Sequence, residues 1–368
     1  MGKELAEAVT TSYDEVLADN SKMLGPMKEY GFVVVTGILS GEEQKEAESL
    51  VYEDLLESID ESKMDVIDKD LKKVIDDVKA SKLHWPKASI PGIVGKGFMS
   101  KKGLPQGRFA WKLRTNEKCK NLYKILHGDD DLVVSMDLPF FNPTDREVRE
   151  VDMWPHADQN ITIKKGSEKS YQGILYVWDS TQRNCSNTIF WPKSYDSEYH
   201  NLLKSAAPRK MGTVIDHALY LSSIQDPKVK AEFMTGWKKN ARRIQVPAGG
   251  IVIFDSRTIH QGGPHGMRLA QTLCWEPRKY RDDEAHKSKL QAIHMGIGTT
   301  HWASLGIHHG ASFGRYEKTP RYSHTHHQNI FPLKQIKSVP LTKFVKWYKT
   351  ASIAELEEGI APEYRDVI

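Results

Sequence analysis

The sequence predicts an α+β fold in which a double-layered β architecture carries helices on its outside. Three observations predict it. Short β-rich runs separated by turn residues recur along the middle of the chain, the spacing expected of stacked β layers. Helix-periodic apolar stripes precede them. Hydrophobic residues make up 39% and charged residues 27% of 368 positions, with aromatics throughout, so the chain can bury a substantial core without disulfide or metal staples.

In chain order, Gly31-Phe32-Val33-Val34-Val35-Thr36-Gly37 is a β-branched run closed by glycines and reads as a buried strand. Ser40 is placed to cap a helix whose Ala47, Leu50, Val51, Leu55 and Ile59 recur at three- and four-residue spacing, and Ile67, Leu71, Val74, Ile75 and Val78 repeat that period. From Ser81 to Ala110 prolines, glycines and lysines replace the periodicity, which predicts a long surface loop of the lid type. The β-rich runs follow at Phe109–Leu113, Leu132–Met136, Ile161–Ile163, Ile174–Trp178, Thr188–Trp191, Ile244–Val246, Ile251–Phe254 and Leu269–Trp275. A helical insertion punctuated by Pro208 and Pro227 is expected between Ser194 and Lys239, and a last helix over Leu341–Glu358.

The net charge of +4 is a small excess of 52 basic over 48 acidic residues, so nucleic acid is not among the expected partners. Cys119, Cys185 and Cys274 are far apart and form no Cys-x-x-Cys, as suits a reducing compartment. No apolar run approaches a membrane span and the N-terminus is polar, so a soluble, intracellular, most simply cytoplasmic protein is expected unless a targeting segment has been removed. Oligomeric state is not legible.

The chemistry-bearing stretch is Trp154-Pro155-His156-Ala157-Asp158-Gln159-Asn160. On a strand, His156 and Asp158 would project from one face. An imidazole and a carboxylate suit a borderline divalent metal, and a second histidine would complete a facial triad with open positions. His260 is the candidate: Pro247-Ala248-Gly249-Gly250 turns the chain into the apolar Ile251-Val252-Ile253-Phe254, which delivers His260 just before Gly262-Gly263. Beyond it Arg268 opens the apolar strand Leu269-Ala270-Gln271-Thr272-Leu273-Cys274-Trp275, where a buried guanidinium calls for a carboxylate held bidentately. Each of these residues alone is more often an ordinary surface or strand-end group, so the order and context carry the inference.

Together with the strand and helix around Gly25-Pro26-Met27-Lys28-Glu29-Tyr30-Gly31, the segments Trp111–Arg114 and Asp131–Asp137, and the loop Ser186-Asn187-Thr188-Ile189-Phe190-Trp191-Pro192-Lys193-Ser194, these motifs resemble the phytanoyl-CoA dioxygenase-like family of Fe(II)/2-oxoglutarate oxygenases over roughly Leu24 to Pro277. The resemblance implies a double-stranded β-helix (jelly roll, cupin-like) core over about 109–278, within a single domain spanning 1–368. It implies an N-terminal part over 1–110 with its lid at 81–110, and a C-terminal extension, 279–368, packed on the core. It also implies that His156, Asp158 and His260 hold Fe(II), that Arg268 binds the distal carboxylate of 2-oxoglutarate, and that dioxygen drives oxidative decarboxylation to succinate with oxidation of a substrate C–H bond. Two departures stand out: the interval from His260 to Arg268 is shorter than usual, and Lys193-Ser194-Tyr195 replaces the usual Gly-Ser-His. Because Asp158 is present, halogenation is disfavoured, leaving hydroxylation, desaturation or ring closure.

By period-two projection Gln172 and Tyr176 are candidates for contacts to the cosubstrate or behind the metal ligands, with ordinary core roles as the alternative. Lys87, Lys96, Lys101, Lys102 and Arg108, with Arg114, form either an electropositive entrance for a carboxylated or phosphorylated small molecule or a solvated basic loop. Overall form also resembles the algal kainoid synthases, which close a pyrrolidine ring on an N-prenylated glutamate. The histidines at 294, 301, 308, 309, 324, 326 and 327 lack the paired spacing of a zinc module, and His301 is the one expected to border the active site. Two other functions stay open: a zinc hydrolase using the same three ligands, which would leave Arg268 without a role, and a non-catalytic jelly-roll binding protein.

Overall fold

A computed structural model describes residues 3–66, 93–94, 98–100, 102–142, 154–159, 169–182, 185–196, 210–211, 214–215, 219–221, 224–263, 266–304 and 333–368. The expected helix over Ile67–Val78, the strand over Ile161–Ile163, Pro208, most of the lid, Lys96, and the histidines at 308–327 lie outside these residues. In chain order the elements are α1 (Lys3–Val9), β1 (Thr10–Ser12), α2 (Tyr13–Ala18), α3 (Ser21–Tyr30), β2 (Phe32–Thr36), α4 (Gly41–Glu57), β3 (Ile93–Val94), β4 (Phe98–Met99), α5 (Arg108–Arg114), α6 (Glu117–His127), β5 (Leu132–Val134) and β6 (Pro139–Asn142). Then come β7 (His156–Ala157), β8 (Tyr171–Tyr176), β9 (Thr188–Phe190), β10 (Lys210–Met211), β11 (Val214–Ile215), β12 (Leu219–Tyr220), α7 (Pro227–Asn240), β13 (Arg242–Arg243), β14 (Ile251–Asp255), β15 (His260–Gly262), β16 (Arg268–Pro277), α8 (Asp283–Met295), α9 (Ile353–Glu358) and α10 (Pro362–Arg365). The contacts divide the chain into two compact units, residues 1–39 with 145–267, and residues 40–144 with 268–368.

The first unit is built mainly from two sheets, beside the two-stranded pair β10·β11. One runs β1-β2-β14-β8, antiparallel except for the parallel pair β1·β2, with Phe254 opposite Phe32 on one side and Gln172 on the other. The second runs β12-β7-β15-β9-β13 and is antiparallel throughout. Successive strands change sheet: β7 lies in the second, β8 in the first and β9 in the second, and β13, β14 and β15 repeat the alternation. This is the winding of a double-stranded β-helix, as the sequence predicts. Its interior is aromatic, with Phe190 of the second sheet stacked on Phe32 of the first at 4.8 Å and edge-on to Phe254 at 5.0 Å. On the outside α7, capped by the Asp226 carboxylate, lays Phe233 and Trp237 over Ala157, Trp191 and Ile259. Gly31, at φ +85°, ends α3 and turns the chain into β2. A Cβ there would sit 2.5 Å from the Thr258 hydroxyl, which donates to the Gly31 carbonyl, so only glycine fits.

In the second unit β16 pairs with β6, β6 with β4 and β4 with β3, while β5 pairs with the distal end of β16. Trp111, Tyr123, Phe141 and Trp275 are fully buried there. Ser40 opens α4 with a reciprocal capping box to Glu43, as its position in the sequence suggests. Phe109–Leu113, expected as a strand, is instead helix α5. Phe109, Trp111 and Leu113 alternate in sequence, but Ala110 and Arg114 are buried too, and the exposed residues are Arg108 and Lys112, four apart on one helical face, so the period-two pattern marks no strand face. The expected strand at Ile244–Val246 lies earlier, as β13, and the expected helix over Leu341–Glu358 is confined to α9, because Ser352 and Glu355 form a capping box that starts the helix there. Among the described residues no helix is long and apolar enough to cross a membrane.

The start of α5 supplies a pH-dependent element. Asp54, buried on α4, accepts the Phe109 N–H at 3.0 Å and pairs with Arg108 at 2.9 Å. Burial outweighs these partners and raises its carboxyl to about 6. The folded state therefore holds the proton more tightly than the unfolded chain. The resulting stabilisation is full below the unfolded value and is lost as pH rises through about 6, an effect of about 3 kcal/mol. Urea unfolding is expected to show the stability of the wild type relative to Asp54→Asn falling by about 3 kcal/mol as pH rises from about 3 to about 8. A constant difference would assign the carboxyl an ordinary pKa.

Candidate metal centre

Three predicted ligands converge in the first unit. β7 and β15 are neighbours, and His156 and His260 are register partners, so the two rings stand side by side with centroids 4.4 Å apart. The strand ends at Ala157. Asp158 is brought to the histidines by a bend in which its own N–H and that of Gln159 both donate to the Ser256 carbonyl at 2.9 Å. The simple two-residue alternation thus places His156, while the bend places Asp158. All three side chains are buried, and one donor atom from each lies within 4.8 Å of the others.

The tautomers can be worked out from the partners. His156 Nδ1 faces the Trp154 carbonyl at 3.2 Å and His260 Nδ1 faces the Thr258 carbonyl at 2.9 Å. A carbonyl only accepts, so each Nδ1 carries the proton and donates, leaving both Nε2 atoms bare when the rings are neutral. Those bare nitrogens point at the Asp158 carboxylate, at 3.3 Å to Oδ1 and 3.2 Å to Oδ2. Burial holds His156 below the ordinary imidazole pKa, although the Asp158 charge pulls it up and His260 pushes it further down. Three acceptors facing one another in a buried space repel unless a cation lies among them. Two imidazole nitrogens and a carboxylate are the donor set of a borderline divalent metal, so the residues fit one.

Gln172, on the neighbouring sheet, donates its amide to Asp158 Oδ2 at 2.8 Å and lies 3.3 Å from the Ser256 hydroxyl. It thereby holds the carboxylate from behind. Gln172→Ala is expected to weaken metal binding about 10- to 100-fold, the usual cost of losing a partner that orients a ligand, as read by competition titration against a chelator; unchanged affinity would leave the amide without a part in the centre. Tyr176 is buried at the opposite end of β8, four residues and roughly 13 Å along the strand from Gln172.

The remaining predicted residues lie in the second unit. Arg268 is buried at the start of β16, its guanidinium carbon 3.8 Å from the Phe140 ring centroid. Arg114 lies neither at an exposed entrance nor in a solvated loop, while Lys87, Lys96 and Lys101 fall outside the described residues. Arg114 is fully buried in α5, donates to the Pro105 and Asp137 carbonyls at 3.0 Å, and burial lowers it to about 9. Arg108 is engaged by Asp54 and Glu57. His301 is half-buried beside Trp302. The sequence reading missed the aromatic surround of the histidines. Trp154 and Tyr220 stack on His156 at 4.6 and 5.5 Å, and Phe254 and Phe190 lie 4.7 and 5.7 Å from His260. Trp154, Phe190 and Phe254 lie inside motif stretches of the sequence, but their contacts with the rings run between strands and left no local signal, and Tyr220 lies in no motif.

No protein-family profile matches the chain, and no curated protein matches it in sequence. Among solved structures, GlcNAc Inducible Gene 2 (GIG2) from Candida albicans aligns over 80% of this chain and 73% of its own, at 11% identity and a TM-score of 0.50, a likeness of fold alone. Looser overlaps include EctD from S. alaskensis with bound Fe (11% identity, 70% of this chain and 76% of that one, TM-score 0.43). They also include the epimerase SnoN in complex with Fe3+, alpha ketoglutarate and nogalamycin RO (13% identity, 71% and 85%, TM-score 0.40).

Proposed function

We propose that this chain is an Fe(II)- and 2-oxoglutarate-dependent dioxygenase that oxidises a C–H bond of a small anionic metabolite. The observation that carries the assignment is the convergence of two bare Nε2 atoms and one carboxylate in a buried space, with both Nδ1 atoms already committed to backbone carbonyls. His156, Asp158 and His260 would hold the metal on one side and leave positions open on the other. A zinc hydrolase would use the same donors, but it gives no function to Arg268, a buried guanidinium eight positions after His260, which we assign to the distal carboxylate of 2-oxoglutarate.

When bound, Fe(II) and 2-oxoglutarate supply the oxidising chemistry, consuming dioxygen and releasing succinate and carbon dioxide. The chain supplies geometry. Gln172 restrains Asp158, the two carbonyls fix the imidazole tautomers, and Phe190 and Phe254 keep water from the His260 side. The reaction is assigned as hydroxylation or ring closure. An N-prenylated glutamate, whose closure gives a pyrrolidine, is the first substrate to test, on the overall resemblance of the sequence to kainoid synthases.

Anaerobic addition of Fe(II) and 2-oxoglutarate is expected to produce a weak visible metal-to-ligand charge-transfer band, with succinate release on admitting dioxygen and substrate. Absence of the band even at raised metal concentration would sink the oxygenase assignment. A band without succinate from the prenylated glutamate would reject that substrate alone.

A further inference from the structure

Trp154 is not a ligand, yet three of its groups engage the ligand strands. Its indole lies nearly parallel to the His156 ring, with centroids 4.6 Å apart and planes 15° apart. Its carbonyl accepts the His156 Nδ1 proton, and its backbone N–H donates at 3.1 Å to the Gln261 side chain, the residue after His260. The indole also rests against Gly262, where a Cβ would lie 3.1 Å from Trp154 Cζ2 and 3.8 Å from Cη2. Tyr220, the register partner of His156 on β12, also stacks on the imidazole, at 5.5 Å and 13°.

Resting on the metal assignment above, we propose that Trp154, seated on Gly262, is the positioning residue that fixes the plane of His156. An imidazole ligand has one soft rotation, about its Cβ–Cγ bond, and an indole stacked parallel to it at close range resists that rotation. The carbonyl bond sets which edge faces inward. Nε2 is therefore aimed before a cation arrives, and the ordering cost is met by folding rather than by metal binding. Gly262 belongs to the device because it leaves space for the indole. Its φ is not in the left-handed region, so alanine there changes the space and not the backbone requirement.

The test is a Co(II) titration of the full chain, following affinity and the visible d–d spectrum, with apo melting measured on the same samples. Trp154→Leu and Gly262→Ala are expected to bind Co(II) about 10- to 100-fold more weakly and with an altered spectrum, while Trp154→Phe, which keeps an aromatic face, stays close to wild type. Should Trp154→Leu fail to fold, the single added methyl of Gly262→Ala carries the test. If wild type does not bind Co(II) at all, the metal assignment fails. If wild type binds and Gly262→Ala matches it in affinity and spectrum, the positioning role of Trp154 is overturned.

Discussion

His156→Ala is expected to abolish metal binding under conditions that saturate wild type. Structural metal sites yield about 10 to 16 kcal/mol over four ligands, so one imidazole is worth about 2.5 to 4 kcal/mol, or roughly 70- to 900-fold in affinity. The loss is steep because nothing described nearby is placed to substitute. Trp154 and Tyr220 both stack on the ring, and alanine leaves a space lined by their apolar faces. In the metal-free protein the same change removes the contact between a bare Nε2 and Asp158 Oδ1 at 3.3 Å, so stability there should suffer less than a buried truncation normally implies. The signature is a variant that melts near metal-free wild type and gains no thermal stabilisation from added Fe(II). Arg268→Ala is the counterpart. It should retain metal affinity and bind 2-oxoglutarate about 10- to 100-fold more weakly, the loss of a charge-assisted pair. Equal loss of metal in both variants would show that Arg268 is misassigned.

The legible parts of this chain were those where local chemistry and final environment agree. Phe32–Thr36, Ile251–Asp255 and Arg268–Pro277 are strands with apolar, β-rich sequence, and each was found within a residue or two. Ser40 announced α4 because a capping box is a short-range device. His156 and His260 were recognisable because their neighbours, a turn and a strand end, are themselves local signals. What failed depended on contacts across the sequence. Arg108–Arg114 became a helix where Asp54, on α4, takes the Phe109 N–H, and nothing near residue 109 announces that acceptor. Arg114 reads as a surface charge, yet it is buried and its Nη2 donates to carbonyls of residues 105 and 137. The α6 and α8 helices went unread although Asn116 and Asp282 cap their starts and Gly128 and Gly296 end them. Their polar faces hid the apolar stripe.

The second large effect joins the fold to the site. Phe190 is fully buried in β9, directly across from His260 in register. Its ring meets Phe32 and Phe254 from the other sheet as well as the His260 imidazole. Phe190→Ala should cost about 3 to 5 kcal/mol, combining lost burial with the cavity left between two sheets that cannot fully collapse. Against a total stability of about 5 to 15 kcal/mol, the chain would still fold under mild conditions. The cavity opens beside His260, whose other ring neighbours are Phe254 and His156, so the ring gains freedom that metal binding must then remove. Weaker metal affinity should therefore accompany the lower urea midpoint. Phe190→Leu separates the two. It keeps most of the volume and should stay within about 1.5 kcal/mol of wild type, with metal affinity close to normal. If Phe190→Ala lost stability and kept full metal affinity, His260 would be held by the Thr258 carbonyl and the β15 backbone alone, and the aromatic interior would serve the fold without serving the site.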